Sequence, residues 1–76
     1  MTTELTYGQK AVGLTFNPSN DDKVQIIKAQ FSDIIDGLSN ERDRTNHDEV
    51  KRMLSVAITE AQTAQMWAVK AVTWQY

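Results

Sequence analysis

The sequence predicts an all-α fold, an antiparallel helical hairpin preceded by a short N-terminal segment. Two long segments each carry apolar residues at helical spacing, and the wholly polar stretch 39–47 separates them. The second segment is apolar on more than one face, and one partner helix in a hairpin cannot cover both faces. We therefore expect a single domain over residues 1–76 that completes its core by homo-oligomerisation.

Residues 1–16 form a lead segment of mixed polar and apolar residues. This segment allows a short helical turn near Tyr7–Val12. Gly13 follows directly, and a glycine at this position is expected to end the turn.

The first long helix is predicted over about 18–42. Asn17 before Pro18 suits an N-cap followed by proline at the first helical position, and a capping box from Ser19 to Asp22 is the alternative. The apolar residues that follow form one stripe with helical period: Val24, Ile27, Phe31, Ile34, Ile35 and Leu38.

The second helix is predicted over about 46–74, capped by Thr45 with Asp48 or by Asn46 with Glu49. Its main apolar stripe contains Val50, Met53, Leu54, Ala57, Ile58, Ala61, Ala64, Ala68, Ala71 and Val72. A second apolar set lies off that stripe and contains Val56, Met66, Trp67, Val69 and Trp74. Because tryptophan is a common interface anchor, we expect an oligomer interface at Met66, Trp67 and Trp74, with a ligand platform as the alternative.

Composition argues against several classes of protein. The chain has 76 residues, no cysteine and one histidine, which excludes disulfides and makes a zinc or copper site improbable. A formal net charge of -2 argues against a nonspecific DNA-binding surface. No apolar run approaches the length of a membrane span, and the N-terminus lacks the pattern of a secretory signal, so we expect a cytoplasmic protein.

No enzyme motif is present in the sequence. It lacks a glycine-rich phosphate loop, HExxH, GxSxG and a cysteine nucleophile. His47 is interpreted as an exposed histidine in the first turn of the second helix, because no partner nucleophile is evident. We expect a binding protein with no catalytic residues, no metal and no cofactor.

The start of the first helix is a candidate anion site. Backbone N–H groups are free at a helix N-terminus, and Asn17 and Ser19 can add side-chain donors. Phe16, directly before them, can stack on a base or can pack back on the helix as a hydrophobic staple. Asp21 and Asp22 count against a bare anion site unless their side chains point away.

Three basic residues are further candidates. Lys28 lies at the edge of the first apolar stripe, so it either reaches water or lines a pocket formed with a neighbouring subunit. Arg52 faces away from the main stripe of the second helix and is either solvated or reaches a phosphate across a subunit boundary. Lys70 lies in an apolar stretch, where a charge usually has a partner, and Glu60, a backbone carbonyl and a ligand phosphate are the candidates.

Two stretches resemble the small phage helical-hairpin domain of anti-CBASS and anti-Thoeris proteins. The first is Phe16-Asn17-Pro18-Ser19, followed by a helix that carries Val24 and Ile27-Lys28. The second is Ala61-Gln62-Thr63-Ala64-Gln65-Met66-Trp67-Ala68-Val69-Lys70-Ala71-Val72-Thr73-Trp74, in which Met-Trp-Ala-Val-Lys-Ala is the most specific string. The resemblance covers roughly residues 13–74.

The resemblance implies a sponge, a phage counter-defence protein that binds the signalling nucleotide of a bacterial immune system without cleaving it. Such a protein would keep the signal from CBASS effectors in the cytoplasm of the infected host cell. The short chain favours the anti-CBASS type, whose members typically form hexamers and bind cyclic dinucleotides between protomers, and in some cases cyclic trinucleotides. The alternatives are a sponge for cyclic ADP-ribose isomers and an oligomeric helical protein that binds a protein partner.

The resemblance also implies site residues. The family pattern places a lysine of the first helix against phosphate, with an arginine from another protomer, and Lys28 and Arg52 match these positions. An aromatic before the first helix stacks on a base, and Phe16 or Tyr7 would have to serve here. The resemblance and the residue patterns together predict Phe16, Asn17, Ser19, Lys28 and Arg52 as ligand-binding residues, with Tyr7 and Lys70 as further candidates.

Overall fold

The computed structural model describes residues 4–75, and this range folds into three helices and no strand. They are α1 (Tyr7–Val12), α2 (Asp22–Arg44) and α3 (Asp48–Val72). The α2 and α3 helices form a hairpin across the short connection 45–47, and α1 packs mainly on α2. The prediction of an all-α helical hairpin is confirmed.

The three helices lie side by side in one layer. The molecule measures 45 × 37 × 12 Å, and its thickness is close to the diameter of about 10–12 Å of a single helix. The core is therefore narrow, and its buried cluster consists of Val12, Ile35 and Ile58. Large apolar side chains stay exposed on α2 and α3: Ile26, Ile34, Met53, Val56, Met66, Trp67 and Trp74. This exposure is what an incomplete core predicts, and homo-oligomerisation stays a prediction.

The short helix α1 is defined at both ends by its own residues. Thr6 and Gln9 form a capping box at its start, with each side chain bonded to the other's backbone N–H. Gly13 ends it in the left-handed region at φ 63° and ψ 52°, where glycine has no Cβ clash. The prediction of a short helical turn at Tyr7–Val12 that ends at Gly13 is confirmed.

Two contacts hold α1 against α2. The backbone N–H of Gly8 donates to Asp36 Oδ1 at 2.7 Å. The ring of Tyr7 lies 5.6 Å from the Arg42 guanidinium, which also donates to Ser55 Oγ on α3 at 3.0 Å. Arg42 therefore links all three helices near the α2–α3 connection.

The start of α2 differs from the prediction. The helix begins at Asp22 rather than at 18, and its N-cap is Asp21, whose side chain accepts from the Lys23 N–H at 2.8 Å. The proposed N-cap at Asn17 and the capping box from Ser19 to Asp22 are both wrong. An aspartate carboxylate is a strong N-cap acceptor, and it lies closer to the apolar stripe than either alternative.

The buried face of α2 is also displaced from the predicted stripe. Lys28 and Ser32 are buried beside Val24 and Ile35, whereas Ile34 is 53% exposed. Because α2 packs against α1 on one side and α3 on the other, its contact surface is set by two neighbours rather than by one apolar stripe. In α3, Met53, Ala64 and Ala71 of the predicted stripe are exposed.

The α3 helix begins at Asp48 after the N-cap His47, which makes no side-chain cap hydrogen bond. Neither predicted capping pair forms. His47 is exposed, and its backbone N–H donates to Thr45 Oγ1 at 3.2 Å. Within residues 4–75, no helix has the length and apolar character needed to cross a membrane.

Candidate functional site

Lys28 holds the loop that connects α1 to α2. Its ammonium donates to the carbonyl oxygen of Gly13 at 3.0 Å and to that of Phe16, and the residue is only 6% exposed. Gln25 adds a second tether from α2, donating to the Leu14 carbonyl at 3.2 Å. Two arrangements were expected for Lys28, and the first, a side chain that reaches bulk water, does not occur. The side chain bends over the loop and lines a pocket.

Phe16 projects from this loop with its ring largely in solvent. The residue is 69% exposed, so it is not packed back on α2 as a hydrophobic staple would require. Its ring centroid lies 5.5 Å from the Lys28 ammonium, within the range of a cation–π contact. An exposed aromatic beside a fixed cation is a suitable surface for a flat ring that carries a nearby negative charge.

Asn17 and Ser19 are engaged in hydrogen bonds of the loop itself. Ser19 Oγ donates to Asn17 Oδ1 at 2.8 Å, and Asn17 Nδ2 donates to the Asp21 carbonyl at 3.1 Å. The Asp21 carboxylate caps the helix where an anion was expected. The start of α2 therefore already carries a negative group, and the predicted anion site at its free N–H groups is not present in that form.

A pocket of about 520 Å³ lies between the α1–α2 loop and α3. Its polar lining consists of Lys10, Lys28, Gln62 and Gln65, and no carboxylate of the described residues lines it. Ala11, Val12, Met66 and Val69 contribute apolar walls, and Gly13 and Phe16 complete the lining. A second pocket of about 240 Å³ shares Phe16, Lys28 and Val69 and includes Asn17 and Ser19.

Sequence reasoning missed three polar residues of the larger pocket, Lys10, Gln62 and Gln65. Gln65 is only 6% exposed. It lies four residues after Ala61 and three before Ala68, on the buried face of the predicted helix. A glutamine within an otherwise apolar stripe is the sequence feature that could have identified Gln65 as a candidate binding residue. Lys10 lies three residues before Gly13, and only the fold of α1 brings it to the pocket.

Tyr7 and Arg52 are not brought to this pocket within one chain. Tyr7 lies beside Arg42, 14 positions along α2 from Lys28, or about 20 Å at the rise of an α-helix. Arg52 lies 13 positions before Gln65 on α3, also about 20 Å away. Its side chain is exposed and forms an ion pair with Glu49.

Lys70 lies between the two tryptophans near the end of α3. Its ammonium is 5.1 Å from the ring centroid of Trp67 and 5.9 Å from that of Trp74. The rings, rather than Glu60 or a backbone carbonyl, are the partners that the described residues provide. Met66, Trp67 and Trp74 are 61%, 64% and 60% exposed, so this end of α3 presents large apolar side chains to solvent.

The arrangement is suited to binding a ligand. A fixed ammonium, an exposed ring and two amides can hold a ligand that combines phosphate with a flat heterocycle. In residues 4–75, no group of three or more histidine, cysteine, aspartate or glutamate side chains could hold a metal ion.

A protein-family model described as the Acb2/Tad1 hairpin domain matches residues 9–73. The match includes the α1–α2 loop, Lys28 and all of α3. No curated protein and no solved structure matches the chain significantly.

Proposed function

Because this chain belongs to the Acb2/Tad1 hairpin-domain family, the family of anti-CBASS and anti-Thoeris sponges, we propose that it sequesters cyclic oligonucleotide immune signals. Cyclic dinucleotides are the proposed ligands, with cyclic trinucleotides as additional ones. Holding them uncleaved would block activation of CBASS effectors in the cytoplasm of a phage-infected cell. The observation that carries this proposal is the carboxylate-free pocket bounded by the buried Lys28 ammonium and the exposed Phe16 ring.

Lys28 supplies the cation for a phosphate of the ligand. An ammonium has three N–H donors, and two of them point to the carbonyl oxygens of Gly13 and Phe16. The third is free for a phosphate oxygen, and such a charge-assisted bond is stronger than a neutral one. Lys10 lines the same pocket and adds a second positive charge.

The pocket lining supports sequestration rather than cleavage. Hydrolysis of a phosphodiester needs an activated nucleophile, which a paired base or a metal ion normally provides. The lining offers ammonium, amide, aromatic and aliphatic groups. The ligand is therefore expected to leave the protein chemically intact.

A second protomer completes the proposed site. The pocket is open on a single chain, and Arg52 lies about 20 Å from it along α3. Association through the exposed apolar surface at Met66, Trp67 and Trp74 would both cover that surface and bring an Arg52 from a neighbouring chain to the ligand. We propose a homo-oligomer, a hexamer, with the nucleotide held between protomers.

Phe16→Ala is expected to weaken cyclic dinucleotide binding about tenfold, because base–aromatic stacking contributes about 1–3 kcal/mol per base. Stability should change by less than about 0.5 kcal/mol, since the ring is 69% exposed. Calorimetric titration and thermal unfolding measure the two effects. Tyr7→Ala is the comparison variant and should weaken binding by less than Phe16→Ala, because Tyr7 contacts Arg42 and does not line the pocket. If the Tyr7 variant loses affinity for the cyclic dinucleotide and the Phe16 variant does not, the stacking residue is Tyr7 and not Phe16.

Mixing two weak variants tests whether the site is shared between chains. Lys28→Met and Arg52→Ala should each bind weakly, and Arg52→Ala should unfold like the parent because its ion pair with Glu49 is exposed. When the two are unfolded and refolded together, mixed oligomers contain sites with both parental residues. We expect such mixtures to regain tight binding, in contrast to either variant refolded alone. Failure to regain it would exclude a site that combines Lys28 and Arg52 from different chains.

A further inference from the structure

Gln65 is a buried residue whose side-chain amide has no partner among the described residues. The residue is 6% exposed, and its side chain makes no hydrogen bond with any residue in 4–75. No side-chain nitrogen or oxygen in that range is both fully buried and unbonded, so the amide atoms of Gln65 stay accessible from the pocket that the residue lines. An amide on a residue this buried, unpaired within the described chain and open towards the pocket, is available to a ligand group at this position.

The surroundings of Gln65 favour a heterocyclic base over a phosphate. Met66 and Val69 provide apolar walls in the same pocket, and the positive charges belong to Lys10 and Lys28. A phosphate gains most at the ammonium groups, whereas a flat ring gains from apolar walls and from a neutral donor–acceptor pair. The lining therefore offers cationic groups for a phosphate and a neutral amide for a base.

We propose that Gln65 hydrogen-bonds to the edge of a nucleobase and makes the pocket prefer adenine to guanine. This inference rests on the proposed function and assigns the base specificity of that same site. A glutamine amide presents a donor beside an acceptor. Its oxygen can accept from the N6 amino group of adenine while its nitrogen donates to adenine N7. Guanine can pair with an amide through N1–H and O6. Its 2-amino group then needs a further acceptor, for which the side chains of the described lining offer only the neutral amide of Gln62 and no carboxylate.

Gln65→Glu tests this assignment by changing the hydrogen-bonding pattern at almost constant shape. A carboxylate only accepts hydrogen bonds. It therefore cannot donate to adenine N7, but it can accept from the two donors of guanine, the N1–H and the 2-amino group. The ratio of the affinities for cyclic di-GMP and cyclic di-AMP is expected to shift at least about tenfold towards the guanine ligand. Both ligands carry the same two phosphates, so repulsion from the new charge cancels in this ratio.

Gln65→Met is the second variant, because an unbranched apolar side chain is compatible with a buried position. It should weaken cyclic di-AMP binding about tenfold while helix content stays at the parental level. Gln30→Glu is the matched control: Gln30 is exposed on α2 and does not line the pocket, so the affinity ratio should not change.

Two results would overturn the assignment, and they can be told apart. If the parent binds both ligands and neither Gln65 variant changes its affinities or their ratio, the role of Gln65 fails while the sponge function stands. If the parent binds no cyclic di- or trinucleotide, the assignment fails together with the proposed function.

Discussion

Gly8→Ala is expected to lower the free energy of unfolding by about 1–3 kcal/mol, the range for an extra methyl group in a closely packed contact. A Cβ at Gly8 would overlap the carbonyl oxygen of Ser32 and lie 2.9 Å from Asp36 Oδ1. To relieve this overlap α1 must move away from α2, which also weakens the bond from the Gly8 N–H to Asp36. The α1–α2 loop, and with it Phe16, would lose its fixed position.

Gly37→Ala is the matched control for the Gly8 variant. Gly37 is exposed within α2, and a Cβ there meets no atom within 4 Å. Alanine should therefore raise the free energy of unfolding by about 0.5–1 kcal/mol. Urea unfolding followed by circular dichroism measures both changes, at one protein concentration because association contributes to stability. A Gly8→Ala protein as stable as the parent would contradict the docking of α1 on α2.

Lys28→Met is expected to weaken cyclic dinucleotide binding about a hundredfold, because a hydrogen bond to a charged group contributes up to about 3 kcal/mol. The variant removes the cation proposed for the phosphate and releases the carbonyl oxygens of Gly13 and Phe16. Stability should fall by about 1–2 kcal/mol, since two part-buried hydrogen bonds of the ammonium are lost and only the Gly13 carbonyl keeps another donor, the Phe16 N–H. Calorimetric titration measures the change in affinity, and urea unfolding measures the change in the free energy of unfolding.

Two controls separate the charge of Lys28 from its hold on the loop. Lys23→Met removes one positive charge from an exposed position on α2 and should bind like the parent. Gln25→Leu removes only the tether to the Leu14 carbonyl and should weaken binding by less than Lys28→Met. Equal losses in the Gln25 and Lys28 variants would show that the loop position, and not the ammonium, determines affinity. Parental affinity in Lys28→Met would exclude Lys28 from the site.

The helical hairpin was predictable because its signals are local. Apolar residues from Val24 to Leu38 repeat at helical spacing, and a polar turn ends the first repeat. The end of α1 was predictable for the same reason, since Gly13 alone supplies the left-handed residue that ends the helix. Each of these features depends on residues within a few positions of one another.

The displaced buried face of α2 could not be predicted in this way. Lys28 and Ser32 are buried because α2 packs against both α1 and α3. Burial of a lysine also depends on the carbonyl oxygens of Gly13 and Phe16, which only the turn after α1 places within reach. Burial that depends on long-range packing of this kind produces no recognisable pattern of apolar residues in the sequence.

The candidate site was predictable in part. The structure brings Phe16 and Lys28 together, and Asn17 and Ser19 line the adjacent smaller pocket. The hydrogen bonds within the loop could not be anticipated, because they depend on the cap at Asp21. Gln65 and Lys10 reach the larger pocket from α3 and α1 through the fold alone.

Calorimetric titration of the purified protein with cyclic dinucleotides, cyclic trinucleotides and cyclic ADP-ribose isomers tests the central claim most directly. We expect saturable binding of at least one cyclic di- or trinucleotide, and recovery of the intact ligand after the protein is denatured. A flat response to every ligand, or recovery of a cleaved product, would contradict the proposed sponge function. Binding of cyclic ADP-ribose isomers alone would contradict the assignment of cyclic oligonucleotides as its ligands.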